Sequence, residues 1–441
     1  MSAQRVWLLA FTALLIVTAA GVAYSLSQSS NTGTPNNDTQ PAAPRVINIG
    51  VFSSTTEIKP IYEFLAEQAQ KDFNDYCNRT GRNAVLNFTL GDAKGQPVNA
   101  KDFTIMCNKT GIRVVVGFGW SSFFCSTAYN FANQSGMVLL TPSATSPTYH
   151  KKDHVYRLCL DDSEQARILT RLLIDREVES LVIIARGDSW ADAQIKLYIE
   201  PLFTASGGTI QARIDYPPEV FIDDSTGAIT DSPEKITAVL TEAEKALIEA
   251  NNAHPGGGTA VLLLGLDETA YILKAASEYP TLMAAPWFGE DGTADNKEIM
   301  AKAPEAASSV RLISTKLRNP ESDLGQKLNA LWLGSASAGS GAGILDYTNL
   351  NIYDCVMLGA LAQLEANGTN SQAIREAIPR VSATYQGATG QVMLDETGDR
   401  TGMGFDLWGY FTVNGVCESK ICGRYDGVSH AFAWDEALVK P

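Results

Sequence analysis

The stretch VINIGVF at residues 46–52, followed by IYEFLAEQAQKDFNDYC at residues 61–77, decides the fold class. The first segment is a short apolar run rich in β-branched residues, and the second carries apolar residues at helical spacing. Strands are predicted again at residues 85–90 and 112–118, and a helical stretch separates each strand from the next. This alternation indicates βαβ units and a parallel sheet that is covered on both faces.

The same alternation starts again after residue 162, with strands predicted at residues 180–186 and 259–266. We therefore expect an α/β protein with two doubly wound, Rossmann-like lobes and a ligand-binding cleft between them. A helix predicted at residues 349–368 and a β-rich tail from residue 405 cannot bury both of their faces alone. We expect these later elements to complete the two sheets, which requires the chain to cross between the lobes more than once.

Residues 1–26 combine Arg5 with the uncharged stretch VWLLAFTALLIVTAAGVAYSL. This segment is long enough to span a bilayer, for which about 20 residues suffice. Its basic start and small-residue end also fit a secretory signal peptide. Residues 27–45 are rich in Ser, Asn, Thr and Pro, which predicts a disordered linker. We expect an extracytoplasmic protein, at the cell surface or in the periplasm, that is tethered to the membrane if the first segment is not cleaved.

Charge and cysteine content exclude some classes of protein. The formal net charge of −15 argues against a nucleic-acid partner, because binding phosphates requires clustered Lys and Arg. Seven cysteines are too few for a disulfide scaffold. Cys417 and Cys422 could close a small hairpin loop in an oxidising compartment. Two of the three residues Cys77, Cys107 and Cys125 could form another pair.

Polar and aromatic residues follow several of the predicted strands. In open α/β sheets, ligands bind outside the carboxyl ends of the strands. One such end carries LTPSATSP at residues 140–147, and the strand before it ends at Trp120 and Ser122. In the second lobe, Trp190 and Glu290 occupy similar positions. Hydroxyls can bind a carboxylate, acids can pair with an ammonium group, and indole rings can pack on an apolar body or a cation. This composition predicts a small zwitterionic ligand.

Each of these residues also has a purely structural interpretation. The hydroxyls at residues 143–146 could satisfy the backbone of a tight turn, and Ser122 could cap the helix that starts beside it. Glu290 could be an exposed loop acid, and Trp190 could be packed in a core. Asp162 could be the N-cap of the helix that follows it.

Catalytic and metal-binding patterns are absent from the sequence. The four histidines (His150, His154, His254 and His430) do not form a motif such as HExxH. The stretch YHKKDH at residues 149–154 is typical of a solvated charged turn. The Walker pattern and a strand-anchored GxSxG nucleophile elbow are also missing. We therefore predict no enzymatic activity, no metal and no cofactor.

The stretch at residues 120–147 resembles the Ser-pair, helix, strand and loop segment of the type I periplasmic solute-binding proteins of ABC transporters. The likeness is to the leucine/isoleucine/valine-binding branch. RLCLDDSEQA at residues 157–166 resembles the first crossing between the lobes in that family. Residues 352–368 resemble its YDA helix, and residues 387–408 resemble its G-x-TG and GDR segment. The resemblance covers residues 46 to 435 approximately.

The resemblance implies two α/β lobes that are joined by three crossings and close on the ligand by a hinge motion. It implies a first lobe at residues 46–161 and 318–395. The second lobe would comprise residues 162–317 and 396–441.

The resemblance also implies a set of ligand-binding residues. In its terms, Ser122, Ser143 and Thr145 would bind the α-carboxylate and part of the ammonium group, and Glu290 would pair with the ammonium group. Trp190 would close over the ligand from the second lobe. The remaining candidates are Asp162, at the hinge edge of the cleft, and Trp120, which adds bulk beside the hydroxyls.

We therefore predict an extracytoplasmic solute-binding receptor of an ABC importer. It would bind a small, branched-chain-like amino acid or a related amide and deliver it to separate permease subunits. The alternative is a ligand-sensing ectodomain that acts through a separate membrane signalling partner. An exported enzyme would need a nucleophile and a base that the sequence does not show.

Overall fold

The first predicted strand and helix begin a parallel sheet of five strands in the order β2-β1-β3-β4-β5. The computed structural model describes residues 43–121, 128–223, 228–318, 322–335, 337, 343–368, 370–401, 404–426, 429 and 431–439. The strands are β1 (Arg45–Ser53), β2 (Ala84–Asp92), β3 (Val114–Gly117), β4 (Val138–Thr141) and β5 (Val155–Arg157). The helices are α1 (Lys59–Thr80), α2 (Pro97–Lys109) and α3 (Tyr129–Ser135), and a 3₁₀ turn spans Pro147–Tyr149. Strands β3 and β4 are buried along their whole length, as expected for strands covered on both faces.

A second sheet of eight strands has the order β15-β14-β13-β10-β9-β8-β6-β7. Its parallel part comprises β6 (Ser180–Arg186), β7 (Thr209–Tyr216), β8 (Thr259–Leu264), β9 (Trp287–Gly289) and β10 (Ile313–Leu317). The intervening helices are α4 (Asp162–Asp175), α5 (Ser189–Gln194), α6 (Glu200–Ala205), α7 (Pro233–Ala253), α8 (Thr269–Ala276), α9 (Pro280–Ala284), α10 (Lys297–Lys302) and α11 (Pro304–Ser309). A π-helical turn at Ile195–Ile199 joins α5 to α6, and a 3₁₀ turn spans Pro218–Phe221.

The next part of the chain returns to the first sheet. It comprises α12 (Asp323–Leu333), α13 (Tyr347–Glu365), α14 (Ser371–Ser382) and the short hairpin of β11 (Gln386–Gly387) and β12 (Gly390–Gln391). Helix α13 packs in the core of the first lobe, and 14 of its 19 residues are buried. A Cβ atom at Gly359 would lie 2.9 Å from side-chain atoms of both Leu140 and Val114. Glycine therefore allows this helix to approach the sheet closely.

The tail adds three antiparallel strands to the second sheet. They are β13 (Phe405–Val413), β14 (Val416–Asp426) and β15 (Ala431–Trp434), and the short helix α15 (Glu436–Val439) follows. Asn414 and Gly415 join β13 to β14 with positive φ angles of 53° and 81°. This conformation at both central residues of a two-residue turn is typical of the hairpins that fit the strand twist.

The predicted disulfide between Cys417 and Cys422 is wrong. Both residues lie on β14, so an extended strand separates them by more than the roughly 7 Å that a disulfide can span. Both are free thiols, as are Cys77 and Cys107. Cys77 packs in the core that contains α1, whereas Cys107 packs in a different core cluster with α2. The remaining candidate, Cys125, lies outside the described residues.

The predicted signal peptide or anchor at residues 1–26 also lies outside the described residues. Within the ranges that the structure describes, no helix is long and apolar enough to cross a membrane.

The chain passes from one sheet to the other after β5, after β10 and after β12. Arg157, the last residue of β5, is fully buried and connects the first and last of these crossings. Its Nε and Nη2 atoms donate to the two carboxylate oxygens of Asp399 at 2.6 and 2.5 Å. Its Nη1 atom donates to the carbonyl of Ser146 at 2.8 Å. Its backbone N–H donates to the carbonyl of Gly398, and its own carbonyl accepts from the N–H of Arg400, both at 3.0 Å.

We predict that Asp399→Asn destabilises the protein strongly, because the buried guanidinium of Arg157 loses the carboxylate that binds its Nε and Nη2 atoms and keeps only the more distant Asp161, at 3.7 Å. Breaking a buried ion pair in this way costs about 3–5 kcal/mol. Urea unfolding followed by circular dichroism measures the free energy of unfolding. Glu164→Gln is the control, since its partner Arg167 is exposed, and such a pair contributes less than about 1 kcal/mol. Equal effects of the two substitutions would contradict the role assigned to Arg157.

Candidate functional site

A cleft of about 480 Å³ opens where the carboxyl ends of the two sheets meet. This volume is within the range that small-molecule sites occupy, roughly 300–1,000 Å³. Four of the predicted site residues line it, and they are Trp120, Ser143, Thr145 and Trp190. The ligand role of these residues stays a prediction, and Ser122 lies outside the described residues.

The LTPSATSP segment forms the wall of the first lobe. Ser143 and Thr145 are half-buried at the cleft, whereas Ala144 and Ser146 point away and are fully buried. The hydroxyl of Ser143 donates to the carbonyl of Gly119 at 2.7 Å, which leaves its lone pairs for another donor.

Other residues of this segment satisfy its backbone. The hydroxyl of Thr141 accepts from the N–H of Ala144 at 3.0 Å and donates to the carbonyl of Phe118 at 3.2 Å. Asn351 donates to the carbonyl of Pro142 at 3.0 Å. The structural interpretation of the turn therefore applies to Thr141, and the hydroxyls of the segment divide between holding the loop and lining the cleft.

The wall of the second lobe begins with α5. Asp188 caps this helix, because its Oδ1 atom accepts from the N–H groups of Trp190 and Ala191 at 3.0 and 3.2 Å. Trp190 is only 6% exposed and belongs to the core of this lobe while one side of it lines the cleft. Both interpretations of Trp190 are therefore compatible.

Arg186, at the end of β6, is a buried cation in the cleft that the sequence analysis missed. It donates to Asp188 at 2.7 Å and to Glu268 at 2.8 Å. Its guanidinium also lies 5.8 Å from the centre of the Trp120 ring, which faces it from the first lobe. Both acids pair with this one cation, so Arg186 offers no excess positive charge to an anionic ligand.

A cluster of three acids adjoins the cleft: Asp291 lines it, and Asp162 and Glu290 lie behind it. Glu290 is fully buried, which excludes the exposed-loop interpretation. Gln194 donates to its Oε1 atom at 3.1 Å, whereas its Oε2 atom has no hydrogen-bond partner. The Oδ2 atom of Asp162 and the Oδ1 atom of Asp291 are also buried without a partner. Unpaired buried carboxylate oxygens are costly and indicate a missing donor.

The predicted N-cap role of Asp162 is wrong by one residue. Asp161 caps α4, and its carboxylate accepts from the N–H of Ser163 at 2.6 Å. Asp162 is instead the first residue of the helix, and its N–H donates to the carbonyl of Thr145 at 2.8 Å. This contact joins the hydroxyl wall to the acidic cluster at the hinge.

Burial raises the pKa of all three carboxyl groups in the acidic cluster. For Asp162 the neighbouring charge of Asp291 raises the pKa further, and for Glu290 both other acids do so. For Asp291 the nearby ammonium of Lys316 opposes the effect of burial. The cluster therefore holds less negative charge than three exposed acids would, until a cation enters.

A metal site can be tested by ligand spacing. In the described part of the chain, one group of three potential ligands lies within coordinating distance, and it is His150, Asp161 and Asp399. His150 Nδ1 lies 2.8 Å from Asp161 and 3.0 Å from Asp399. Arg157 already occupies both oxygens of Asp399. A guanidinium beside these acids makes them poor ligands for a cation, so the group acts as an ion-pair network at the hinge.

A larger groove of about 1020 Å³ lies on the outside of the first lobe, between α1, α13 and α14. Its rim carries exposed charges such as the Arg380–Glu365 pair. None of its described lining residues has a buried polar atom without a partner. The smaller cleft between the sheets is therefore the better candidate site.

Two α/β lobes with a polar cleft at their strand ends define a ligand-binding protein. The chain belongs to the receptor family ligand binding region, whose family model matches residues 66–411. This family binds ligands and is not a family of enzymes, so the sequence-based prediction of a binding protein is confirmed.

Solved structures of type I periplasmic binding proteins share the fold. A Desulfitobacterium hafniense ABC transporter substrate-binding protein in complex with Leu is 20% identical, with a TM-score of 0.61, over 85% of this chain and 100% of that one. The leucine-binding protein LivK of Thermotoga maritima is 16% identical, with a TM-score of 0.65, over 89% and 100%. An uncharacterized protein of Methanocaldococcus jannaschii is 26% identical over 69% of this chain and 70% of its own length. The predicted fold class and the resemblance are confirmed.

We predict that Glu290→Gln stabilises the ligand-free protein and that the gain grows with pH. Because the pKa of Glu290 is higher in the folded than in the unfolded state, the folded state holds more protons, and the stability of the native protein falls as pH rises above the ordinary carboxyl range. Glutamine lacks this dependence, so the difference should increase by up to about 1.4 kcal/mol per pH unit.

Urea unfolding between about pH 5 and pH 8 measures this difference. Glu249→Gln is the control, because Glu249 is an exposed residue of α7. If Glu290→Gln gives no gain in stability at any pH, or only the gain seen in the control, then ionisation of Glu290 does not destabilise the folded protein.

Proposed function

We propose that this protein is an extracytoplasmic solute-binding receptor of an ABC importer that closes over a small amino acid. The observation that carries the proposal is the division of charge and hydroxyls across the cleft. Hydroxyls of Ser143 and Thr145 line one wall, and the uncompensated acids Asp162 and Glu290 lie behind the other. A zwitterion complements both sides at once.

In this proposal, Thr145 and, from the sequence pattern, Ser122 bind the α-carboxylate. Ser143, whose proton is donated to the carbonyl of Gly119, accepts a hydrogen bond from the ammonium group through its lone pairs. The ammonium group donates to the unpaired oxygens of Glu290 and Asp162, which are the atoms that lack donors. Trp190 closes one side of the cleft. The structural neighbours crystallised with Leu and with isoleucine support an amino acid as the class of ligand.

Delivery to the membrane would use separate permease and ATPase subunits, with residues 1–26 acting as signal peptide or anchor. The neighbours that are ABC transporter substrate-binding proteins support this part of the proposal. The family description as a receptor region favours a second candidate, a ligand-sensing ectodomain with a separate signalling partner. Cross-linking in membranes followed by identification of the partner distinguishes a permease from a signalling protein.

We predict that an amino acid raises the thermal stability of the protein. A ligand at 100 times its dissociation constant adds about 2.7 kcal/mol to the free energy of unfolding. A thermal-shift screen of all the common amino acids and their amides measures this effect. If no amino acid or amide shifts the melting temperature, the proposed function is wrong.

We predict that Ser143→Ala weakens binding of the best amino acid by about 10–100-fold. A hydrogen bond to a charged group contributes about 1.5–3 kcal/mol. Isothermal titration calorimetry measures the dissociation constant. Ser277→Ala, at an exposed position after α8, is the control. Unchanged affinity in Ser143→Ala would remove Ser143 from the ligand-binding residues.

A further inference from the structure

The cleft carries more negative charge than one ammonium group can offset. Its lining includes seven carboxylates and three cationic side chains. The carboxylates are Asp188, Asp267, Glu268, Asp291, Asp295, Glu298 and Asp346, and the cations are Arg186, Lys297 and Lys316. Asp188 and Glu268 both pair with Arg186, and the positive charge of Lys316 acts on Asp291. Asp162 and Glu290, deeper in the protein, are additional to this set.

Asp162 and Glu290 are buried acids, 1% and 0% exposed, and each has an oxygen with no hydrogen-bond partner. The guanidinium of Arg157, whose charge acts on Asp162, is committed to Asp399. A neutral zwitterion brings one ammonium group, and its own carboxylate adds a negative charge to the cleft. One ammonium group therefore offsets the charge of only one of the two acids, and the ionised form of the other still lacks a counter-charge.

A recess of about 40 Å³ adjoins the cleft at the hinge and reaches Asp162. Thr145, Asp291 and Lys316 line both spaces, so the recess continues from the cleft. A cavity needs roughly 10–15 Å³ to admit one water molecule, so this recess can hold a small head group. Its walls combine apolar side chains with carboxylates, which outnumber the one cation, Lys316. The apolar side chains are Leu160, Leu317 and Phe405, and the carboxylates are Asp161, Asp162, Asp291 and Asp346.

This combination of walls fits an aliphatic chain that ends in a cation. The apolar side chains contact the methylene groups, and the carboxylates bind the charged end. A single metal ion is a poorer fit, because Asp162, Glu290 and Asp291 do not form a group of ligands within coordinating distance in the described structure. The spread of the acids matches an organic ligand with separated charges.

We propose that the ligand carries two cationic groups joined by a short aliphatic chain, with the second group bound in the recess by Asp162. The inference rests on the proposed function, because it uses the same cleft. Two sources share this chemistry, basic amino acids such as lysine and ornithine, and diamines such as cadaverine, which lack the carboxylate.

The test compares L-lysine with L-norleucine, which has the same carbon chain without the terminal ammonium group. Calorimetry on the full chain should give at least about tenfold tighter binding for lysine, because a charge-assisted hydrogen bond is worth that factor or more. Cadaverine tests the diamine source. Binding of cadaverine as tight as that of lysine would support the second cation site and contradict the carboxylate site of the proposed function.

Asp162→Asn should weaken lysine binding about tenfold more than it weakens norleucine binding, so that the preference for lysine falls by that factor. Asp175→Asn, at the exposed end of the same helix α4, should leave both affinities unchanged. Comparing the two ligands on each variant separates loss of the second cation site from general damage to the fold.

The outcomes distinguish the inference from the function on which it rests. If norleucine or leucine binds as tightly as lysine, the inference is overturned and the proposed function stands. If no amino acid binds, the proposed function fails and the inference fails with it, unless cadaverine binds.

Discussion

The buried guanidinium of Arg157 is the interaction on which the rest of the site depends. It donates to both oxygens of Asp399 and to the carbonyls of Ala144 and Ser146. The hydroxyl wall and two of the interlobe crossings therefore share one cation. Because such a charge is stable in the interior only when fully bonded, the loop cannot change shape without disturbing the hinge. The position of the cleft follows from this coupling.

The fold was predictable because its signals are local. Apolar runs such as SLVIIAR at residues 180–186 form strands that are buried on both faces. Stretches with apolar residues at helical spacing separate these runs, so the two kinds of element can be told apart. The cysteine pairing failed for a different reason. The turn at Asn414 and Gly415 sets the hairpin, so both cysteines fall on one strand, and only the register of the strands reveals this. Sequence spacing alone does not contain that register.

The candidate site was predictable where a residue follows a strand directly, as Ser143 and Thr145 do. Asp161 and Asp162 are adjacent, and only the backbone conformation decides which of them caps the helix. Asp161 does so, and the side chain of Asp162 is therefore not needed as a cap. Arg186 was missed because the sequence gives it only as the last residue of a strand. Its ion pair with Glu268 appears only in the folded protein. Gln194 and Lys316 were missed because their roles depend on side chains that approach from other elements.

The hydroxyl of Ser146 donates to the carbonyl of Ser189 at 3.0 Å, from the loop of the first lobe to the start of α5 in the second. Any motion that separates the lobes at this point must break that bond. A neutral hydrogen bond of this kind contributes about 0.5–1.5 kcal/mol, which corresponds to up to about tenfold in an opening rate. The residence time and the affinity of a solute in the cleft would thus both depend on Ser146, which does not line the cleft.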